Sequence, residues 1–358
     1  MRHWGSLILA VMCLALPLSA CGLRAGRPAP TGSNRPMNLV GGVSRLSTVL
    51  DRGQLVCGVS GELPGFSFVN REGEYTGLDV DICRAIAAAL FDDPNAVEFR
   101  NLNAKERFTA LQTGEIDILS RNTTWTLSRD ASVGLDFAPT VFYDGQGIMV
   151  RAASGIKTLE ALRGKAVCTQ TGTTNEQNLA DQMRKRGIDY QLIVFEDINA
   201  AYAAYVEGRC AGVSSDRSQL ISRKSALPDP DSHYVLPEVL SKEPLAPAVA
   251  GGDSQWADVV RWSIFALIEA EELGITSQNW EQFKTGDDPE IKRFLGVEGD
   301  LGQGLGLSND FAARIVKHVG NYGEMYDRNL GPKTPLNLDR GLNQLWEQGG
   351  LMYAPPLR

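Results

Sequence analysis

Two stretches of the chain, residues 55–121 and 164–222, run through one order of elements, and this repeat constrains the fold more than any composition does. In the first, LVCGVS is a short apolar run and GELPGFSFVNREGEYTG is a Gly- and Pro-punctuated loop with a hairpin. LDVDICRAIAAALF has helical apolar spacing and an Ala-rich composition. AKERFTALQTGE then predicts a helix ending at Gly114, and IDILSR a strand. In the second stretch GKAVCTQTGTTNEQNLADQMRK gives strand, Gly/Thr loop and helix, and AYAAYVEGRCAGVSSDRSQLIS gives helix, strand and a loop carrying Asp216. Strands alternating with helices bury both sheet faces, so the expected class is α/β with two similar lobes. A chain of 358 residues is long enough for two such cores.

YDGQGIMVR, around Gly147, and SKEPLAPAV, around Pro244, join the lobes, so the chain crosses between them twice. The expected division is a first lobe from 45–147 and 245–358, the latter including a C-terminal extension, and a second lobe from 148–244. Two strand-like crossings form a hinge, which leaves a ligand cleft between the lobes. The strand IDILSR delivers SRNTTWTLSRD at its carboxyl end, where ligands of open α/β sheets sit. That segment sets Arg121 and Arg129 among five Ser or Thr hydroxyls beside Trp125. A guanidinium holds a carboxylate through two parallel charge-assisted bonds, and neighbouring hydroxyls and peptide N–H groups take the remaining lone pairs.

The amino terminus, MRHWGSLILAVMCLALPLSACG, has one early Arg, a short apolar run and then small residues, the order of a secretory signal peptide over residues 1–20. Leu18-Ser19-Ala20-Cys21 resembles a bacterial lipobox, whose cysteine is lipidated, and an ordinary cleavage site is the rival reading. Residues 21–44 then read as a Gly- and Pro-rich tether. Cys57, Cys83, Cys168 and Cys210 remain, an even number for an oxidising compartment. Of their three pairings, the lobe division favours Cys57 with Cys83 and Cys168 with Cys210. No C-x-x-C occurs, and past the signal only His233 and His318 are present, so a zinc site or Cys/His pair is a poor reading and no metal or cofactor is expected. The net charge of −8, with no Lys/Arg block, gives no footprint for nucleic acid.

GLDVDICRAIAAAL, with Gly77, Asp79 and Asp81, followed by GEIDIL and TLSRD, resembles the bacterial extracellular solute-binding proteins of family 3, the polar amino-acid receptors of ABC importers. SRNTTWTLSRD, YDGQG, GRCAGVSSDRSQL, SKEPLAP and RNLGPKTPLNLDRGLNQLW look like its general L-amino-acid-binding subgroup, a likeness covering nearly everything after residue 45. The resemblance implies a type II periplasmic-binding-protein fold that takes L-amino acids of broad side-chain type. It implies a permease in the cytoplasmic membrane as partner, a monomer, and a periplasmic site reached through a lipid anchor alone.

By the same likeness Arg129 is the carboxylate fork, with Thr124 and the backbone near Asn122 beside it. Thr173 and Thr174, at a helix amino end, are a second anion grip, and Asp216 accepts from the ligand's α-ammonium. Arg121 either reaches an acidic ligand side chain or pairs with Asp117 or Asp130. Gln170 stands where the family often has Lys, and Leu63 and Ala104 stand about where specific receptors place aromatic clamps. Phe66 and Trp125 are candidate walls or core. The alternative is an enzyme on this scaffold, such as an exported cyclohexadienyl dehydratase, for which Glu62 is the one nameable general acid.

Overall fold

Helix α1 (Arg45–Arg52) opens residues 44–358, the part of the chain that this computed structural model describes. Cys21 and the rest of the expected leader lie outside the described residues. The apolar run becomes β1 (Leu55–Val59), buried throughout. The Gly/Pro loop folds as a small antiparallel sheet of β2 (Glu62–Leu63), β3 (Ser67–Val69) and β4 (Tyr75–Thr76). Helix α2 (Leu78–Phe91) follows from Gly77, whose φ of 127° and approach to Phe66 admit no side chain, since a Cβ would lie 2.2 Å from the Phe66 carbonyl oxygen. This helix is apolar almost all round and correspondingly buried on nearly every face, Asp79 and Asp81 included.

After β5 (Val97–Asn101), α3 (Arg107–Gln112), β6 (Ile118–Leu119) and β7 (Leu135–Phe137), the long β8 (Phe142–Arg151) leads into the second half. That half holds β9 (Ala166–Gln170), α4 (Thr174–Lys185), β10 (Gln191–Phe195), α5 (Ile198–Val206), β11 (Gly212–Asp216), α6 (Arg217–Ser225) and β12 (His233–Val235). β13 (Lys242–Leu245) and β14 (Ala248–Ala250) return the chain to the first half. One sheet has the order β5-β1-β6-β14-β7, with β1 parallel to β5 and β6; the other has β10-β9-β11-β8-β12, with β9 parallel to β10 and β11.

Strand β8 belongs to two structures in turn. Phe142–Gly145 pair antiparallel with β13, and the residues from Gln146 onward pair with β11 and β12. The two crossings are therefore one short ribbon, with the lobes at its two ends. Four apolar clusters flank the two sheets; the disulfide Cys57–Cys83 ties the middle of β1 to α2, and Cys168–Cys210 ties the middle of β9 to the segment leading into β11. Closing loops of 26 and 42 residues, each removes unfolded-chain entropy worth about 3.5 to 4 kcal/mol on the chain-entropy model.

The helices α7 (Ser254–Glu272), α8 (Trp280–Phe283), α9 (Pro289–Phe294), α10 (Leu301–Leu305), α11 (Phe311–Val319) and α12 (Tyr322–Asn329) pack on the first lobe, α7 and α11 against α2. The extension beyond them buries Leu345, Met352, Ala354 and Leu357 in that same core. Arg340 pairs with Glu271 beneath the rings of Tyr322 and Tyr326. The Asn343 side-chain amide accepts from the Tyr143 N–H at 2.6 Å and donates to its carbonyl at 3.2 Å, so the extension grips the hinge strand from behind.

Candidate functional site

Where β6 ends, the chain turns through Asn122, whose φ of 31° lies in the left-handed region that Asn tolerates. Its N–H donates to Asp79 Oδ2 at 3.0 Å, so the acid of the buried helix fixes the turn. Thr124 then forms an isolated bridge to Leu245, with the Trp125 N–H on the Pro244 carbonyl at 2.8 Å. Extended backbone alternates its side chains, so Thr124 faces the cleft and Trp125 faces away. Arg129 sits in a wide turn over Ser128–Ser132, its Nη1 donating to the Thr124 carbonyl at 2.7 Å and its guanidinium over the Phe108 ring.

Two more arginines converge from the same lobe. Arg121 donates through Nε to the Leu102 carbonyl at 2.7 Å. Arg107, the first residue of α3, reaches Thr123 Oγ1 at 3.3 Å, and its buried Nε has no partner. All three are buried, and none sits in an ion pair among the described residues. Burial lowers all three pKa values, Arg121 to about 10, and for Arg107 the charges of Arg121 and Arg129 add to the effect of burial. Three converging guanidiniums with no direct ion-pair partner make this wall of the cleft one that favours an anion.

The second lobe answers from the end of β11 and the start of α4. Asp216 occupies the position that would cap α6 but makes no capping bond. Instead Oδ1 accepts from Asn175 Nδ2 at 3.0 Å, and Oδ2 accepts from Asn122 Nδ2 at 3.3 Å across the cleft. Burial first, then the nearby Asp144 and Glu243 carboxylates, raise its pKa. Thr173 caps α4, accepting from the Glu176 N–H at 3.4 Å and donating to the Gln170 carbonyl at 2.6 Å. Gln170 in turn donates to the Glu196 carbonyl at 3.0 Å.

Asn122, Thr124, Arg129, Gln170, Thr173, Thr174 and Asp216 all line one cavity of about 20 Å³, room for a single water. Ser222 bonds the Pro64 carbonyl at 2.8 Å from the opposite lobe, and Lys105 pairs with Glu196 across the mouth. The conformation is closed, and a solute enters only when the lobes part.

Several expectations need correction. Trp125 does not line the cavity: it is 42% exposed, stacks on Phe137 and donates to Asp130 Oδ2 at 2.7 Å, because the inward Thr124 turns it out. Arg121 pairs with neither Asp117 nor Asp130; Arg45 and Arg52 hold Asp117, and Trp125 takes Asp130, leaving Arg121 beside Asp79. Asp79 itself is raised to about 6 by burial, which its bond from Asn122 and the charge of Arg121 only partly offset. Leu63, Ala104 and Phe66 are buried without lining the cavity, and Ser60 is the first-loop residue that does line it. Sequence reasoning passed over Arg107, Asn175, Ser215 and Gln219. Of these Arg107 had a signal, an Arg opening a helix just before the segment rich in arginine and hydroxyls.

The family model for bacterial extracellular solute-binding proteins, family 3, matches residues 55–284. The chain belongs to that family. It is 51% identical over 315 residues to the general L-amino acid-binding periplasmic protein AapJ of Rhizobium johnstonii, a match covering 87% of this chain and 92% of that one. It is 46% identical over 324 residues to the glutamate/glutamine/aspartate/asparagine-binding protein BztA of Rhodobacter capsulatus, covering 89% and 96%. Among solved structures, a periplasmic binding protein from Brucella ovis with glutathione bound superposes with a TM-score of 0.87 at 51% identity, over 88% of this chain and all of that one. The two α/β lobes expected from the repeat, and the solute-binding fold that the resemblance implies, are the fold of the family and of this neighbour.

Proposed function

We propose that this family member is the receptor of an ABC amino-acid importer, which captures L-amino acids of several side-chain types and presents the closed form to a permease. The observation that carries the reading is a buried guanidinium and a buried carboxyl group, Arg129 and Asp216, lining one cavity from the two lobes, with neither in an ion pair among the described residues. A free α-amino acid is the complement, its carboxylate on Arg129 and its ammonium toward Asp216. Ser60, Gln170, Gln219, Arg107 and Arg121 are left for the side chain. No aromatic residue lines the cavity, which supports breadth, and the free Arg107 Nε favours side chains ending in an amide or carboxylate. The names of AapJ and BztA agree with such a range.

The lobes of this reading are 45–147 with 245–358, and 148–244, working as a monomer without a cofactor. Glu62 is exposed and outside the cavity lining, which gives the dehydratase alternative no support and favours a receptor over an enzyme in this reading. Periplasmic relatives and the leader support export, with a lipid on Cys21 as the membrane contact. Cys21→Ser should then move the protein from the membrane to the soluble fraction, and an unchanged membrane fraction would count against the lipid. For the receptor itself, calorimetric titration of the unfolded and refolded mature protein with an amino-acid panel is the test. Several side-chain types should bind within a thousandfold of one another, about 4 kcal/mol. A single accepted amino acid would refute the breadth.

A further inference from the structure

Behind the cavity, on the hinge strand β13, lies Glu243, 1% exposed. Its Oε2 accepts from Thr124 Oγ1 at 2.6 Å and from Thr174 Oγ1 at 2.9 Å, one hydroxyl from each lobe. Its Oε1 accepts from Asn178 Nδ2 at 2.8 Å and from the Ser241 hydroxyl. A hydroxyl has one proton and two lone pairs. Since both threonine protons point at Glu243, the 3.3 Å gap between the two Oγ atoms carries no hydrogen bond, and both oxygens offer only lone pairs to the cavity they line.

We infer that Glu243 is a positioning residue that sets the polarity of the ligand site: it turns Thr124 and Thr174 into acceptors, which with Asp216 offer three oxygens to the three N–H bonds of an ammonium group. The inference rests on the amino-acid-binding reading and reassigns both threonine hydroxyls, which the sequence had suggested as part of the carboxylate grip. A hydroxyl locked as an acceptor repels a carboxylate, so that end of the ligand is left to Arg129 and to peptide N–H groups. Because the two threonines come from opposite lobes, the shared oxygen is assembled only on closure, and the ammonium subsite is complete only in the closed form.

The test compares L-glutamate with L-2-hydroxyglutarate, which keeps both carboxylates and replaces the ammonium by a hydroxyl. In Glu243→Leu the threonine protons lose their acceptor and are free to turn into the cavity. The parent's preference for glutamate over the hydroxy acid should then fall by about tenfold or more, the scale of a hydrogen bond to a charged group. Thr174→Val should lower the same preference, because it removes an acceptor. Combining the two should cost less than the product of the separate effects, since one acts through the other. The inference is overturned if Glu243→Leu weakens both ligands by one factor, if the two effects multiply, or if Thr174→Val weakens both ligands equally, as loss of a carboxylate donor would. Thr174→Val alone decides the polarity should Glu243→Leu fail to fold. A parent that binds neither ligand overturns the receptor reading and this inference together.

Discussion

Arg129→Ala should weaken binding of neutral and acidic amino acids alike by about 30- to 5,000-fold, a cost of about 2 to 5 kcal/mol. The size follows from burial. Arg129 is 7% exposed in a cleft that closes over its ligand, so its removal leaves a carboxylate out of water without the guanidinium it is bonded to. An exposed ion pair would be worth less than about 1 kcal/mol. The guanidinium also holds the Thr124 carbonyl, so unchanged thermal unfolding must accompany the lost affinity. A variant that binds a neutral amino acid as tightly as the parent would remove Arg129 from the carboxylate end.

Asp216 should show its role through protons as well as affinity. Burial, Asp144 and Glu243 raise its pKa in the empty cleft, so it is protonated at a higher pH than an ordinary carboxyl. An ammonium ligand favours the ionised form and pulls that pKa down. Binding therefore releases a proton. Affinity is full above the empty-site pKa and falls by up to about tenfold per pH unit below it. Asp144, raised by burial on β8 and held by Ser218 and the Gly145 N–H, titrates nearby, so the comparison needs Asp216→Asn. That variant should lose the proton release and weaken every amino acid by about 2 to 5 kcal/mol. Calorimetry in buffers of different ionisation heat reads both. Proton uptake on binding, or release that survives in Asp216→Asn, would contradict the assignment.

What the sequence made legible was periodic or adjacent. The doubled strand–loop–helix order predicted two lobes, and the lobes in turn picked the observed cysteine pairing out of three. Arg129 and Asp216 are legible through the family resemblance, since an Arg among hydroxyls or an Asp after a strand has no assigned role when taken alone. What stayed hidden is contact between distant segments. Glu243 lies 119 residues from Thr124 and shares a carboxylate with it only because β13 returns beside β8. Trp125 was misplaced by a one-residue matter of which way an extended strand alternates, which burial decides and composition does not. Arg121 was given acids close in sequence, whereas its true neighbour Asp79 comes from the buried face of α2.

The central claim is that one cleft grips the zwitterion common to all amino acids, and competition tests it most directly. Refolded protein saturated with L-glutamate should be titrated with a neutral L-amino acid that binds the empty protein. The account predicts a single site, with the neutral ligand's apparent affinity falling in proportion to the glutamate added. Binding of the neutral ligand unaffected by saturating glutamate would contradict it.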